Sequence, residues 1–199
     1  MSNRVSTSSP CAFASTIKHK LSFLLSVVAI AMIPLSAAAQ HDVHALLVAK
    51  ENRKNAPTFH LTSADGRVLQ ISDFRGKVVL LNFWATACGG CVLEISSFIE
   101  LQRKYGSSKF TAVGISADIP YEGLKSTDEA WQKVRPFIVQ HQVNYPIVLG
   151  NDSVIDSYGF NSYPATYLVD KSGRIAATYV GVVSKDDVET NIKKLLEEQ

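Results

Sequence analysis

One stretch of this chain constrains its fold more than any other: the apolar run KVVLLNFW at 77–84, followed directly by ATACGGC at 85–91. The run is too continuously apolar for a strand with one side in solvent, so it predicts a central strand buried on both faces. Cys88 and Cys91 follow at a spacing that serves structural metal sites, structural disulfides and redox catalysts. The next apolar residues recur at helical spacing and predict a helix that begins near Cys88: Val92, Ile95, Phe98, Ile99 and Leu101.

The remaining segments alternate between short strands and amphipathic helices, which describes an α/β fold with a mixed central sheet flanked by helices. Strands are predicted within 57–71, as a hairpin around Ala64-Asp65-Gly66, and at 110–117, 146–149, 165–170 and 174–180. Helices are predicted from Ser126 towards His141, at 154–160, and from Ser184 through Leu196, with Ser126–Glu129 and Ser184–Asp187 as capping pairs. Pro136 is expected to kink or restart the first of these helices. A chain of 199 residues can bury one ordinary core, so one domain is expected.

The first 39 residues have the composition of an export signal. Residues 1–20 are rich in Ser and Thr and contain basic residues but no acid, and residues 21–33 are apolar apart from two serines. Ala37 and Ala39 then provide the small residues of a cleavage site before Gln40. An uncleaved membrane anchor stays open, because 21–39 approaches the length that spans a bilayer, and so does a buried N-terminal helix. With a signal or an anchor, the rest of the chain is expected outside the cytoplasm, in the periplasm or on the extracytoplasmic face of the membrane.

Charge and cysteine content of the exported part follow from this division. Without Arg4, Lys18 and Lys20, 17 basic residues remain against 18 acidic ones, so no basic surface argues for nucleic acid. Cys11 would leave with the signal, and the rest of the chain then holds only the pair at 88 and 91. In an oxidising compartment such a pair is expected to cycle or to stay closed as a disulfide. Residues 40–55 are polar and mixed, which predicts a linker or a short helix before a domain at 56–199.

The two cysteines are placed for thiol–disulfide exchange. At the N-terminus of a helix, unpaired backbone N–H groups and the macrodipole favour negative charge, which stabilises the thiolate of Cys88. Such sites lower the pKa of a cysteine to roughly 3.5–7.5. Cys91 lies almost one helical turn further on, so its sulfur can reach back to Cys88. Cys88 is therefore predicted to be the nucleophile and Cys91 the thiol that resolves a mixed disulfide.

Glu94 lies one further turn along the same helix face. It is either an exposed partner of the helix dipole or a partly buried proton acceptor for Cys91, and the second role requires a pKa raised by burial. A zinc site would need further ligands, but the histidines at 41, 44, 60 and 141 have no metal-ligand spacing, so no metal or other cofactor is expected. A purely structural disulfide also stays open, although a loop this short stabilises a fold little.

The chain resembles the thioredoxin superfamily, specifically the exported TlpA/ResA-type thiol–disulfide oxidoreductases with an AhpC/TSA- or redoxin-like domain. The resemblance covers roughly 56–197 and rests on ISDFRGKVVLLNFWA, CGGC and YPATYLVDKSGRI together. It implies a thioredoxin fold with an added N-terminal β-hairpin and a central helical insertion at 119–141. It also implies that Pro164 is a cis-proline facing the dithiol, and that Trp84, Tyr163 and Pro164 bind the substrate peptide.

The resemblance bears on Glu94 as well. Many thioredoxins have a buried Asp as proton acceptor in the strand before the cysteines, where this chain has Asn82, which cannot titrate. TlpA/ResA proteins similarly lack that Asp and use a Glu three residues after the second cysteine, which Glu94 matches. Three features depart from the family: Gly89-Gly90 lacks the usual Pro before the second cysteine, Ala87 replaces a common Trp, and Tyr163 is bulkier than usual.

The function that the resemblance implies is reduction of protein disulfides, for example during cytochrome c maturation, by a monomer that receives electrons from a membrane-embedded or other redox donor. Two other classes stay open. A peroxiredoxin-like peroxidase would share the ISDFRGK segment, but its cysteine resembles P-x-x-x-T-x-x-C and Thr86 is only two residues before Cys88. A non-catalytic binding module would use the groove near Tyr163 to hold a partner while the cysteines stay locked as a disulfide.

Overall fold

The structure is a computed structural model that describes residues 42–107 and 109–198. The predicted export signal at 1–39, which contains Cys11, lies outside the described residues, and so does His41. Seven strands are present in the described part: β1 (His60–Thr62), β2 (Val68–Gln70), β3 (Val78–Trp84), β4 (Phe110–Ser116), β5 (Ile147–Leu149), β6 (Ala165–Val169) and β7 (Ile175–Val180). Strands β1 and β2 form the predicted antiparallel hairpin. The other five form one mixed sheet in the order β5-β4-β3-β6-β7, in which β3 is parallel to β4 and antiparallel to β6.

Five α-helices accompany the sheet in the described part: α1 (Gly89–Tyr105), α2 (Asp118–Glu122), α3 (Thr127–Gln140), α4 (Asp152–Tyr158) and α5 (Lys185–Glu197). Short 3₁₀ turns lie at Lys50–Asn52 and Ile71–Phe74. Helix α3 continues through Pro136, where the sequence predicted a kink or restart. Pro136 and Gln132, whose carbonyl loses its helical donor, are both on the exposed side, so water can satisfy that carbonyl. Across 42–107 and 109–198, no helix combines the length and apolarity needed to cross a bilayer.

The central position of β3 explains its unbroken apolar sequence. All seven of its residues are buried, because both faces of the sheet are covered. On one face, Leu80 and Trp84 belong to a cluster with residues of α1, α3 and α5; on the other, Leu81 and Phe83 join residues of α4 and the hairpin. The expectation of a strand buried on both faces is confirmed, and it fixes where the chain after Trp84 emerges.

Residues 42–55, for which a linker or a short helix was expected, run along the outer edge of β7. The amide of Val48 donates to the carbonyl of Ala176 at 2.8 Å, and the amide of Ile175 donates to the carbonyl of Lys54 at 2.8 Å. Val43 pairs with Val183 in a parallel bridge beyond the end of β7. This segment therefore packs on the domain and covers an edge that would otherwise expose unpaired backbone groups.

Candidate active site

The junction between β3 and α1 places both cysteines at one point. A turn closes when the amide of Cys88 donates to the carbonyl of Ala85 at 3.2 Å, and Cys88 then serves as the N-cap of α1. Its Sγ accepts a hydrogen bond from the amide of Cys91 at 3.3 Å. The sulfur of Cys88 therefore lies where unpaired N–H groups and the helix dipole stabilise negative charge, as the sequence predicted.

Cys88 and Cys91 are joined by a disulfide bond, with their Cα atoms 5.3 Å apart. The two cysteines differ in access: Cys88 keeps 5% of its surface exposed, whereas Cys91 is fully buried. A thiol from outside can therefore reach this pair only through Cys88. The side chain that was predicted to react first is the one of the two that keeps some exposed surface.

Glu94 lies one turn after Cys91 and is 2% exposed, which excludes its interpretation as an exposed partner of the helix dipole. Its Oε1 accepts a hydrogen bond from Nδ2 of Asn82 at 2.7 Å, and its Oε2 accepts one from the amide of Val183 at 3.3 Å. Burial raises the pKa of Glu94 to about 8, while these two hydrogen bonds act in the opposite direction. The carboxyl group is therefore a much stronger base than an ordinary glutamate.

Asn82 is a site residue whose contacts the sequence did not predict. It is fully buried on β3, and its Nδ2 donates to Oγ1 of Thr166 at 3.0 Å as well as to Glu94. Its Oδ1 is buried and has no hydrogen-bond partner among the described residues. The available signal was the single amide in an otherwise apolar strand, since a buried amide needs a polar partner.

The peptide bond between Tyr163 and Pro164 is cis, as the resemblance implied. Pro164 lies beside the first turn of α1: a side chain at residue 90 would place its Cβ 3.5 Å from Cδ of Pro164 and 3.3 Å from Cγ2 of Val182. Tyr163 is partly buried and contacts the rings of Tyr121 and Phe160 edge-on, with centroid distances of 5.3 and 5.2 Å. Burial raises the pKa of the Tyr163 hydroxyl. The loop before β6 therefore lies beside the first turn of α1, which begins between the two cysteines.

Trp84, the third residue expected to bind substrate, does not reach the surface. Its side chain is 1% exposed and packs against Phe137 of α3 with ring centroids 4.8 Å apart. Trp84 is the last residue of β3, and Phe137 of α3 covers its ring. The ring of Trp84 is therefore covered in the oxidised structure, and contact between Trp84 and a substrate stays a prediction.

The described part of the chain contains no candidate metal site. Among residues 42–107 and 109–198, no three His, Cys, Asp or Glu side chains are grouped to hold a metal ion. His44 lies 3.5 Å from a carboxylate oxygen of Asp187, and His141 stacks on Phe137.

Comparisons with known proteins agree on one superfamily. A family model described as the AhpC/TSA family matches residues 53–178. The chain is 30% identical to the thiol-disulfide oxidoreductase ResA of Bacillus cereus over 183 residues, which cover 89% of this chain and 98% of that protein. It is also 31% identical to the thioredoxin-like protein YneN of Bacillus subtilis over 139 residues, covering 70% of this chain and 77% of that protein.

Solved structures show the same architecture. A thiol:disulfide interchange protein of the thioredoxin family from Chlorobium tepidum superposes with a TM-score of 0.63 and 25% identity, covering 74% of this chain and 99% of that one. A secreted thiol-disulfide isomerase from Corynebacterium glutamicum superposes with a TM-score of 0.66 and 24% identity, covering 78% and 93% of the two chains. At that identity the second likeness shows the fold alone.

Proposed function

The chain belongs to the AhpC/TSA family and is a thiol–disulfide oxidoreductase of the TlpA/ResA type with a thioredoxin fold, and we propose that it reduces disulfide bonds of protein substrates outside the cytoplasm. The observation that carries the proposal is the asymmetry of the redox pair. Cys88, at the N-terminus of α1, keeps 5% of its surface exposed, whereas Cys91 is fully buried one turn before the buried carboxyl group of Glu94. This arrangement supplies an attacking thiol, a resolving thiol and a base in the order in which the reaction needs them.

The first step is attack on the substrate by the reduced protein. The thiolate of Cys88 attacks one sulfur of a substrate disulfide, so a mixed disulfide forms and the other substrate sulfur leaves as a thiolate that takes up a proton. The amide of Cys91, which donates to Sγ of Cys88, and the helix dipole stabilise the attacking thiolate before the bond forms.

The second step releases the substrate. Glu94 accepts the proton of the Cys91 thiol, and the Cys91 thiolate attacks the Cys88 sulfur of the mixed disulfide. The bond between Cys88 and the substrate breaks, the substrate sulfur leaves as a thiolate that takes up a proton from water, and the protein is left with its own disulfide. A pKa of about 8 at Glu94 is close to the usual cysteine value of about 8.5, so proton transfer between the two groups costs little free energy.

Tyr163 and Pro164 are proposed to hold the substrate peptide. Both residues directly precede β6, and Pro164 lies beside the first turn of α1. The partly buried ring of Tyr163, directly before Pro164, offers an apolar wall with a polar tip, which suits a peptide that must lie extended across the site.

The cellular setting is the finer part of the proposal. The composition of residues 1–39 supports export, with the leader cleaved or kept as a tether, and a dithiol donor embedded in the membrane would re-reduce the disulfide after each turnover. Resemblance to the TlpA/ResA group favours cysteines destined for haem attachment in cytochrome c as substrates. The protein is proposed to act as a monomer.

The direct test is reduction of insulin by dithiothreitol, with and without the purified protein. We expect acceleration by the unsubstituted protein and, when the protein is purified with its leader still attached, by Cys11→Ser, whose cysteine lies outside the redox pair. Cys88→Ser should lose the activity, and Cys91→Ser should accumulate mixed disulfides visible on a non-reducing gel. If both of the latter variants behave like the unsubstituted protein, the assignment of the two sulfurs is wrong.

Two further measurements separate the alternatives. Consumption of hydrogen peroxide without insulin reduction would favour a peroxidase of the AhpC/TSA family. Titration of the Cys88–Cys91 pair against glutathione tests for a binding module, because a disulfide that stays closed at all physiological potentials cannot cycle. The same titration gives the reduction potential, and a low value supports a reductant.

A further inference from the structure

We propose that Asp118 is a positioning residue for the redox reaction, because its buried carboxylate holds the turn that presents Cys88. The inference deepens the proposed function and rests on it. Asp118 is the first residue of α2, at the beginning of the central insertion, and it contacts neither sulfur in any hydrogen bond of the described structure. Its side chain is fully buried, which is costly for a carboxylate unless donors surround it.

Three donors surround the Asp118 carboxylate. The amide of Thr86 donates to Oδ1 at 3.0 Å, and the hydroxyl of Thr86 donates to the same oxygen in a short contact. The hydroxyl of Ser116, at the end of β4, donates to Oδ2 at 2.6 Å. One oxygen therefore holds Thr86 and the other is anchored to the central sheet.

Asp118 is connected to the redox pair through Thr86. It is the second residue of the turn from Ala85 to Cys88, and the amide of Cys88 closes that turn onto the carbonyl of Ala85 at 3.2 Å. A shift of Thr86 therefore moves Cys88 relative to the amide of Cys91 that stabilises its sulfur. Without Asp118, the Thr86 amide would lose its acceptor and the turn its link to β4.

The same short helix also contacts the other side of the active site. The ring of Tyr121 packs edge-on against Tyr163, directly before Pro164. Oε1 of Glu122 lies 3.4 Å from the Thr86 hydroxyl, and Glu122 forms an ion pair with Lys133 of α3. Helix α2 therefore bridges the two loops that flank the dithiol, and Asp118 is its attachment to the loop that carries Cys88.

Two substitutions at this position separate the hydrogen bonds from the charge. Asp118→Ala removes the acceptor, and we expect the rate of insulin reduction and the rate of Cys88 alkylation by iodoacetamide in the reduced protein to fall roughly 10- to 100-fold. Asp118→Asn keeps an oxygen for both Thr86 bonds and turns its amide towards the Ser116 hydroxyl as a donor. We therefore expect Asp118→Asn to restore both rates close to those of the unsubstituted protein.

A second pair of variants guards against simple loss of folding. Thr86→Val deletes one donor to Asp118 with little change of shape, whereas Thr111→Val makes the same change at a buried hydroxyl at the other end of β4. We expect Thr86→Val, but not Thr111→Val, to slow Cys88 alkylation, with urea unfolding of both variants measured alongside. A purely structural role would lower the urea midpoint and leave alkylation of the folded protein unchanged.

The alkylation readout keeps the two proposals distinguishable. It needs no turnover, so failure of insulin reduction by the unsubstituted protein would overturn the proposed function and leave the test of Asp118 intact. The positioning role is overturned if folded Asp118→Ala is alkylated at the unsubstituted rate, or if Thr111→Val slows the reaction as much as Thr86→Val. It is also overturned if Asp118→Asn is as slow as Asp118→Ala.

Discussion

The side-chain amide of Asn82 donates a hydrogen bond of 2.7 Å to the carboxyl group of Glu94 inside the core. An amide cannot take up the proton of a cysteine, so within this pair only Glu94 can serve as the acid or base. Asn82 instead supports the ionised form of Glu94, together with the amide of Val183, against the larger effect of burial. The balance puts the pKa of Glu94 at about 8, which is close to the ordinary pKa of a cysteine thiol such as that of the buried Cys91.

The first prediction concerns the base itself. Glu94→Gln keeps the size of the side chain but cannot accept a proton, so the resolving step should slow by roughly 100-fold and lose its dependence on a group titrating near pH 8. The measurement is the pH profile of single-turnover oxidation of the reduced protein by a disulfide peptide. Glu100→Gln is the control, because Glu100 lies on the same helix with its side chain 54% exposed. Equal rates for the two variants would contradict the role of Glu94.

The second prediction concerns the donor. Asn82→Asp places a second carboxyl group within hydrogen-bond distance of Glu94, and two such groups cannot both ionise easily. The pH midpoint of the resolving step should therefore move upward. Thr166→Val removes the other partner of Asn82 without adding charge and should move the midpoint much less. A midpoint that stays in place in Asn82→Asp would mean that the two side chains do not interact in solution.

The third prediction follows from linkage between protonation and folding. Glu94 has an ordinary pKa of 4.5 and a folded-state value of about 8, so between these pH values the folded protein holds a proton that the unfolded chain releases. The contribution is fully present below pH 4.5 and is lost as the pH rises through 8; the difference of 3.5 pH units corresponds to at most about 5 kcal/mol. Urea unfolding of the oxidised protein at pH 5 and pH 8 measures the loss. Glu94→Gln should show a smaller difference between the two pH values; an equal difference would assign it to other groups.

The elements that could be predicted from the sequence are those set by local pattern. The strand at 78–84, the helix after Cys88 and the hairpin at 165–180 follow from hydrophobic periodicity and turn residues, and all three are present. Capping shows the limit of such patterns. Ser184 is the N-cap of α5 but its side chain makes no capping bond, and Asp187 instead accepts hydrogen bonds from the hydroxyl of Tyr179 and the amide of Ala45.

The features that could not be predicted depend on contacts between distant segments. Trp84 is buried because α3 packs over its ring. The sequence predicted α3 as part of a helical insertion but did not indicate where that insertion packs on the sheet. The links from Asn82 to Glu94 and from Thr86 to Asp118 join separate elements, and neither spacing nor composition indicates them. The chemistry at Cys88 and Cys91 could be predicted from the sequence because both residues lie within one helical turn. The hydrogen bonds that support this chemistry could not be predicted.

The fourth prediction concerns the attachment of residues 42–55. The guanidinium of Arg53 is 3% exposed and donates to Asp170 at 3.2 Å and to both carboxylate oxygens of Glu198 at 2.6 Å. Arg53→Ala leaves Asp170 buried with only Arg174 as a charged partner, so the free energy of unfolding should fall by about 3 kcal/mol. Arg67→Ala breaks an ion pair whose side chains are 70% and 55% exposed, and should have no measurable effect. If urea unfolding shows that Arg53→Ala and Arg67→Ala lower the free energy of unfolding by comparable amounts, the buried network does not stabilise the fold.

The fifth prediction concerns the two glycines between the cysteines, which begin α1. A Cβ at residue 89 would meet nothing within 4 Å, whereas one at residue 90 would lie 3.3 Å from Cγ2 of Val182. Neither glycine has a positive φ, so alanine fits the backbone at both positions. Gly89→Ala should raise the free energy of unfolding of the oxidised protein by roughly 0.5–1 kcal/mol, because alanine restricts the unfolded chain and favours the helix. Gly90→Ala should gain less, since Val182 must move. Gly123→Ala, at a φ of +66° after α2, should instead lower the free energy of unfolding. If Gly90→Ala proves the more stabilising of the first two, Val182 yields freely and does not confine the first turn of α1.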